Sequence, residues 1–436
     1  MLRVSPDGRH LVSSDGTPFF WLADTAWELF NRLRRDDVSH YLTTRAGQGF
    51  NVVQAVLLAE CDGLTTPNAE GNLPLIEGDP AKPNEAYFQL VDLAVRQANA
   101  LGIVMALLPT WGHWVGPRLW AAGGEGTLNA RNAAAYGRFL GRRYREADVV
   151  WVIGGDRNPA GYEGVWRELV RGIKEGEAGR EHLMTYHPQG GSGSAEFFHD
   201  EPWLDFNMRQ TGHFYGWAGG HEKMPPDYAR TPAKPCLNAE PLYEDIARFF
   251  QPANGRFNDH DVRAVAYRSV FAGACGHTYG ASGVWQMLED GRKPLCSGGT
   301  PWRPALHLPG ATHMRHLRRL VESRPMLTRR PLPLEQVIEP RGGQAGDAAD
   351  AVVACGDGKT YAMVYFPFQW PSVTIKLPRL GGRRVWWFDP RTGKATEADL
   401  GRAAVVKTSA AIGMPLGPDA VLVLDAPSAG YAPPGA

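Results

Sequence analysis

The stretch VVWVIGGD, residues 149–156, decides how the rest of the chain is read. Val149 to Ile153 are apolar without a break, the pattern of a strand covered on both faces. Gly154 and Gly155 then end the run and deliver a carboxylate, Asp156, at its tip. Taken alone, an Asp there needs no special role, since Asp favours turns and helix N-caps and Gly supplies positive φ. Its meaning depends on whether the same unit recurs.

The unit does recur. FFWLAD (19–24), NVVQAVLLA (51–59) and IVMALLPTW (103–111) precede it; HLMTYHP (182–188), LDFNMRQ (204–210), PCLNAEP (235–241) and GHTYGASGVW (276–285) follow. Helical patterns occupy 36–47, 84–101, 129–146, 162–175, 260–275 and 311–323. Eight regularly spaced strands, each followed by a helix or a long loop, predict a closed (β/α)8 barrel over residues 1–328 rather than an open doubly wound sheet. After Pro325 the composition changes. A Pro- and Arg-rich connector, RPMLTRRPLPLEQV (324–337), leads into short β-type runs such as TYAMVYFPF (360–368), RRVWWFDP (383–390) and AVLVLDAP (420–427). These predict a small β-sandwich over 329–436, with the Gly/Pro-rich tail APSAGYAPPGA (426–436) loosely draped.

Length and composition set bounds on function. The chain of 436 residues is long enough for two domains. Lys+Arg and Asp+Glu are both 46, so no net charge marks a nucleic-acid or anionic-membrane partner. No long apolar run suggests a membrane span, and the opening MLRVSPDGRH has no signal-like apolar region. The expected location is therefore cytoplasmic, unless a leader has been removed. The five cysteines are widely spaced and odd in number, which disfavours a disulfide framework or a structural zinc site. Fourteen Trp exceed what a core needs and suit flat platforms for sugar rings.

In a closed barrel the site lies at the C-terminal ends of the strands. Those ends carry Asp24, Gln54 and Glu60, Trp111 with His113 and Trp114, Asp156, His187, Gln210 with His213, Glu240, Tyr279 and Trp285. Glu240 precedes Pro241, which cannot donate in a ladder, so the strand stops with Glu240 at its mouth. Asp156 ends the fourth strand and Glu240 the seventh, which in a barrel of eight face one another across the opening. Two carboxylates so placed are what cleavage of a glycosidic bond requires. Other chemistry fits less well. No H-E-x-x-H, phosphate loop, dinucleotide fingerprint or G-x-S-x-G elbow is present, so neither a metal nor a cofactor is expected. His313 and His316 share a cationic helix and read as a solvated face; GGEGT (123–127) reads as a flexible lid.

In order along the chain, FFWLADTAWELFNRL (19–33), LLAECDGL (57–64), VVWVIGGDRNP (149–159), TYHPQG (185–190), LDFNMRQTGH (204–213), AEPLYE (239–244) and GHTYGASGVWQM (276–287) resemble the apiosidase-like glycoside hydrolases, family 140 and its relatives. The C-terminal part resembles a small β-domain, labelled a collagen-binding module, found behind such barrels. The resemblance implies a retaining hydrolase acting on furanose-like sugars, with Asp156 as acid/base and Glu240 as nucleophile. A carbohydrate is then the expected partner, with Trp111, Trp114, Tyr215 and Trp285 stacking on or framing it. Asp24, Gln54, His113, His187 and Gln210 are the expected polar contacts. Two other readings are a barrel that binds carbohydrate without cleaving it and a protein-binding role for the C-terminal domain; both carboxylates being present argues against the first.

Overall fold

A computed structural model of the chain describes residues 1–436 except 61, 117–125, 215–220, 340–350, 377–383, 399–408 and 416. The expected barrel is present. Its strands are β1 (Trp21–Thr25), β2 (Val52–Val56), β3 (Val104–Leu108), β4 (Val149–Gly154), β5 (Met184–His187), β6 (Asn207–Gln210), β7 (Cys236–Glu240) and β8 (Gly276–Tyr279). They pair in parallel in the order β5-β4-β3-β2-β1-β8-β7-β6. Nearly every strand residue is buried, as the unbroken apolar runs require when side chains fill the barrel and helices cover its outside. At the seam between β5 and β6, the Asp205 amide donates to the Met184 carbonyl at 2.9 Å and Thr185 Oγ1 to the Phe206 carbonyl at 2.6 Å.

The helices fall close to their expected spans, for example Arg35–Gly47, Glu85–Ala100 and Pro309–Glu322. Helix Asp259–Phe271 starts with a capping box between Asn258 and Asp261. The helices Ala133–Tyr144 and Glu163–Glu177, which flank β4, approach backbone to backbone. A Cβ on Gly141 would lie 2.2 Å from the Ile173 carbonyl oxygen, and one on Gly172 2.2 Å from that of Ala134. GRFLG (137–141) and GIKEG (172–176) therefore form one small-residue seam between the helices that precede and follow β4. A three-stranded antiparallel sheet (Leu2–Val4, Leu11–Ser13, Pro18–Phe19) precedes the barrel and was not legible as such; its Leu2 and Leu11 join the barrel core.

The C-terminal region is a six-stranded antiparallel sheet with a two-stranded sheet, Ser372–Lys376 and Ser409–Gly413, on its outer face. The period of two sorts its side chains. Met363, Tyr365, Trp386, Phe388, Val421 and Val423 join the barrel's core, while Val364, Phe366, Val385, Trp387, Leu422 and Leu424 pack with Val373, Ile375 and Ile412 beneath the small sheet.

This interface corrects two expectations. His313 and His316 are buried rather than solvated, because the helix face that carries them meets the C-terminal sheet. His313 Nδ1 accepts from Arg263 at 3.0 Å, and burial followed by that guanidinium pushes its pKa down to about 4. The tail is docked, with the Tyr431 hydroxyl 2.7 Å from Thr360 Oγ1 and the Arg324 guanidinium 4.9 Å from its ring. Among the described residues no helix is long and apolar enough to cross a membrane.

Candidate active site

The backbone at the end of β4 explains the two glycines of the opening stretch. Gly154, Gly155 and Asp156 all have positive φ, at 90°, 136° and 52°. Glycine takes such values without strain, and Asp is among the few other residues that tolerate the left-handed region. A Cβ on Gly154 would also lie 2.6 Å from the His187 carbonyl oxygen. The turn carries Asp156 over a cavity of about 800 Å³ at the C-terminal end of the barrel.

Glu240 reaches the same cavity by a different device. Along the β7–β6 ladder Asn238 faces Arg209 and Glu240 faces Gln210, so Ala239 is an extra residue. Such a bulge re-aims the side chain that follows it. The Ala239 carbonyl accepts from Gln54 Nε2 at 3.1 Å. Gln54, expected to contact sugar, is thus a correction: it is buried, and its amide serves the bulge that presents Glu240.

Asp156 and Glu240 are joined through His187. The Asp156 backbone N–H donates to His187 Nδ1 at 3.4 Å, and His187 Nε2 lies 3.0 Å from Glu240 Oε2. A ring nitrogen that accepts leaves the proton on the other, so Nε2–H faces the carboxylate. His213 Nε2 lies 3.2 Å from Glu240 Oε1. Burial alone would raise the Glu240 pKa, but hydrogen bonding from His187 and His213 outweighs it and pulls the pKa down to about 2. Asp156, with a third of its side chain exposed, moves the other way. Burial and then the Glu240 charge raise its pKa, against Arg157, His187 and the Gln210 amide. Arg157 Nη1 donates to Asp156 Oδ2 at 3.0 Å.

Of the other expected contacts, Trp111, His113, Gln210 and Trp285 line the cavity. Three do not, besides Gln54. Asp24 is fully buried; its Oδ2 accepts from Arg45 Nε at 2.7 Å and from the Tyr41 hydroxyl at 2.6 Å, so it is a structural ion pair below the site. Trp114 turns into the core, its Nε1 donating to the Ala59 carbonyl at 2.8 Å. His187 is fully buried, between the Asp156 backbone N–H and the Glu240 carboxylate. Tyr215 and most of the expected lid at 123–127 lie outside the described residues.

The cavity adds groups that strand-end reading did not assign. Trp27 packs on Trp111 at 5.3 Å and edge-on to His187 at 5.4 Å. Glu60 is a third carboxyl in the lining, its pKa raised by burial and by Glu28, Asp156 and Glu240. Tyr243, Phe214 and Phe250 complete the β6–β7 side. Glu60 and His213 were visible as polar strand-end residues, whereas Trp27 follows its strand by two residues in a short helical turn. Among the described residues, no group of three His, Cys, Asp or Glu is placed to hold a metal ion.

Residues 5–328 match the family model described as "Apiosidase-like, catalytic domain". The chain belongs to the apiosidase-like family. Residues 336–425 match a model described as "Putative collagen-binding domain of a collagenase". A crystal structure of a glycoside hydrolase family 5 protein from Bacteroides vulgatus is 30% identical, covers 99% of this chain and 94% of its own, and superposes with a TM-score of 0.87. A second solved structure, described as a glycoside hydrolase, is 29% identical with a TM-score of 0.85 over 98% of this chain and 97% of its own. A family 39 glycoside hydrolase from Bacteroides cellulosilyticus, 10% identical with a TM-score of 0.54 over 92% of this chain and 80% of its own, shares the fold. No curated protein matches the chain. This apiosidase-like protein is a glycoside hydrolase, and a carbohydrate is its substrate.

Proposed function

We propose that the chain cleaves the O-glycosidic bond of a furanose-like sugar, apiose or another pentofuranoside, with retention of anomeric configuration, Glu240 acting as nucleophile and Asp156 as acid/base. The observation that carries the pairing of acid and anion is the turn at Gly154–Asp156 and the bulge before Glu240 that bring both carboxyls into one cavity, where the Asp156 pKa is raised and that of Glu240 is held at about 2. A pair pushed apart in this way supplies one protonated acid and one anion at the same pH. The furanose and retaining parts rest on the family to which residues 5–328 belong.

Protonated Asp156 gives its proton to the leaving oxygen as the Glu240 carboxylate attacks the anomeric carbon, forming a glycosyl ester and releasing the alcohol. The ester carries no charge, so the repulsion that raised the Asp156 pKa disappears just when Asp156 must remain an anion. Asp156 then takes a proton from water; the water oxygen bonds to the anomeric carbon and the ester bond to Glu240 breaks. His187 and His213 hold Glu240 throughout.

Proton NMR on 4-nitrophenyl pentofuranosides tests both parts. The sugar, as first released and before mutarotation, should keep the substrate's anomeric configuration. An inverted product would overturn the double displacement, and turnover confined to pyranosides would overturn the furanose assignment.

A pH profile tests the acid/base assignment separately. Activity needs Glu240 ionised and Asp156 protonated. The acid limb of kcat/KM should therefore lie well below the ordinary glutamate range and the alkaline limb above the ordinary aspartate range. Arg157 favours the Asp156 anion, so Arg157→Gln should move the alkaline limb to higher pH. A limb that stays put or moves down would remove Asp156 from the role.

A further inference from the structure

Among the described residues, four large apolar side chains are exposed, and two of them flank the cavity: Phe214 at 48% and Phe249 at 56%. Phe214 and Phe250 line the same space as Asp156 and Glu240. Their rings meet edge to face, 5.3 Å apart at 88°, and Phe250 lies 5.9 Å from His213, which contacts Glu240. The corner is thus continuous with the catalytic pair. Phe249 and Phe250 are both held at left-handed φ, 54° and 58°, a conformation that costs a bulky residue on the order of 1–2 kcal/mol. The Phe250 amide donates to the Ala247 carbonyl at 2.9 Å, and Arg248 Nη2 to Asp261 at 2.9 Å, which fixes the corner. Exposed apolar surface and backbone strain at one spot both cost the free protein stability, and a bound apolar group offsets the first.

Barrel topology says which part of a substrate reaches this corner. Asp156 on β4 and Glu240 on β7 divide the mouth into two arcs. The arc β8-β1-β2-β3 carries Trp27, Trp111 and Trp285, three largely buried indoles that line the cavity. Such flat walls suit the sugar under attack. Among the described residues, the arc β5-β6 leads to Phe214 and Phe250.

We propose that the Phe214–Phe250 corner is the leaving-group subsite and that it selects glycosides whose leaving group is a planar, apolar aryl group. The inference rests on the reading of Asp156 and Glu240 as the reacting pair. A perpendicular pair of Phe rings takes a flat ring stacked on one and edge-on to the other, and offers no hydrogen bonds to the hydroxyls of a second sugar.

The test compares kcat/KM for two glycosides of the same sugar, one aryl and one fluoroalkyl, with leaving groups of matched acidity. Phe214→Ala should lower the aryl-to-alkyl ratio about tenfold, and Phe214→Tyr should restore it. An unchanged ratio in Phe214→Ala would overturn the proposal. Calorimetric binding of 4-nitrophenol to the full chain needs neither carboxylate, and should weaken about tenfold in Phe214→Ala. Absent or equal binding in the two proteins would overturn the subsite. Full turnover by Glu240→Gln with 4-nitrophenol binding intact would instead overturn the catalytic reading alone.

Discussion

Glu240→Gln is expected to lower kcat on an aryl glycoside by on the order of 10⁴ or more, with the chain still folded. On the proposed mechanism the amide cannot form the glycosyl ester, yet it matches the carboxylate in size, and its carbonyl oxygen can still accept from one of the two histidines. Glu240→Ala sharpens the assignment, because azide can occupy the vacated space and attack the anomeric carbon itself. The product should be a glycosyl azide of inverted configuration, since a single displacement replaces two. Asp156→Ala treated in the same way should give a glycosyl azide of retained configuration, because Glu240 still makes the ester and azide only replaces the water. Asp156→Ala should also spare substrates with acidic leaving groups, which need no proton. Exchanged stereochemistry between the two variants would reverse the roles, and full activity in Glu240→Gln would remove Glu240 from the reaction.

The barrel was legible because each strand is an unbroken apolar run that ends in turn residues, and that pattern follows from burial on both faces. Asp156 and Glu240 were legible for the same reason: counting strands fixes which tips face each other. Counting tips does not give depth. His187 ends its strand, whereas Asp24 lies one residue and Gln54 two residues short of the end; all three are fully buried, and each satisfies a partner in the wall or floor of the site. The bulge at Ala239 leaves no mark in PCLNAEP, because an extra residue in a ladder is defined by its neighbour on β6. The task of Gln54, a hydrogen bond to the Ala239 carbonyl, is therefore visible only once the bulge is. The burial of His313 and His316 depends on a domain more than a hundred residues away at Asp419. Helical spacing shows that the two share a face but not what covers it.

The last expected result concerns that domain. Arg263 and Asp419 form a fully buried pair across the interface, with Nε and Nη2 of Arg263 each 2.9 Å from an Asp419 oxygen. Arg263 also donates to Asp259 at 2.6 Å, and the Tyr365 hydroxyl donates to Asp419 Oδ2 at 3.0 Å. Removing one charge leaves the other buried with too few partners, so Arg263→Met should cost about 3–5 kcal/mol in a denaturant titration. The attraction within such a pair is largely offset by the water both charges have lost, so the pair as a whole is worth far less than that. Arg263→Met with Asp419→Leu should therefore recover most of the loss, and a double variant no more stable than the single would place the cost in packing instead. Tyr267 stacked on Tyr365 at 4.8 Å and the apolar face around Met363 and Val423 would continue to hold the sheet on the barrel. Among the described residues, those lining the cavity run from Trp27 to Cys296, and none comes from the C-terminal sheet. Turnover per folded molecule should consequently stay within about twofold in the interface variants, the reverse of the pattern at Glu240, where activity is lost and the fold is kept. Loss of kcat in Arg263→Met at full folding would mean that the sheet shapes the site through helix Asp259–Phe271, whose capping residue Asp261 also holds Arg248 beside the Phe249–Phe250 corner.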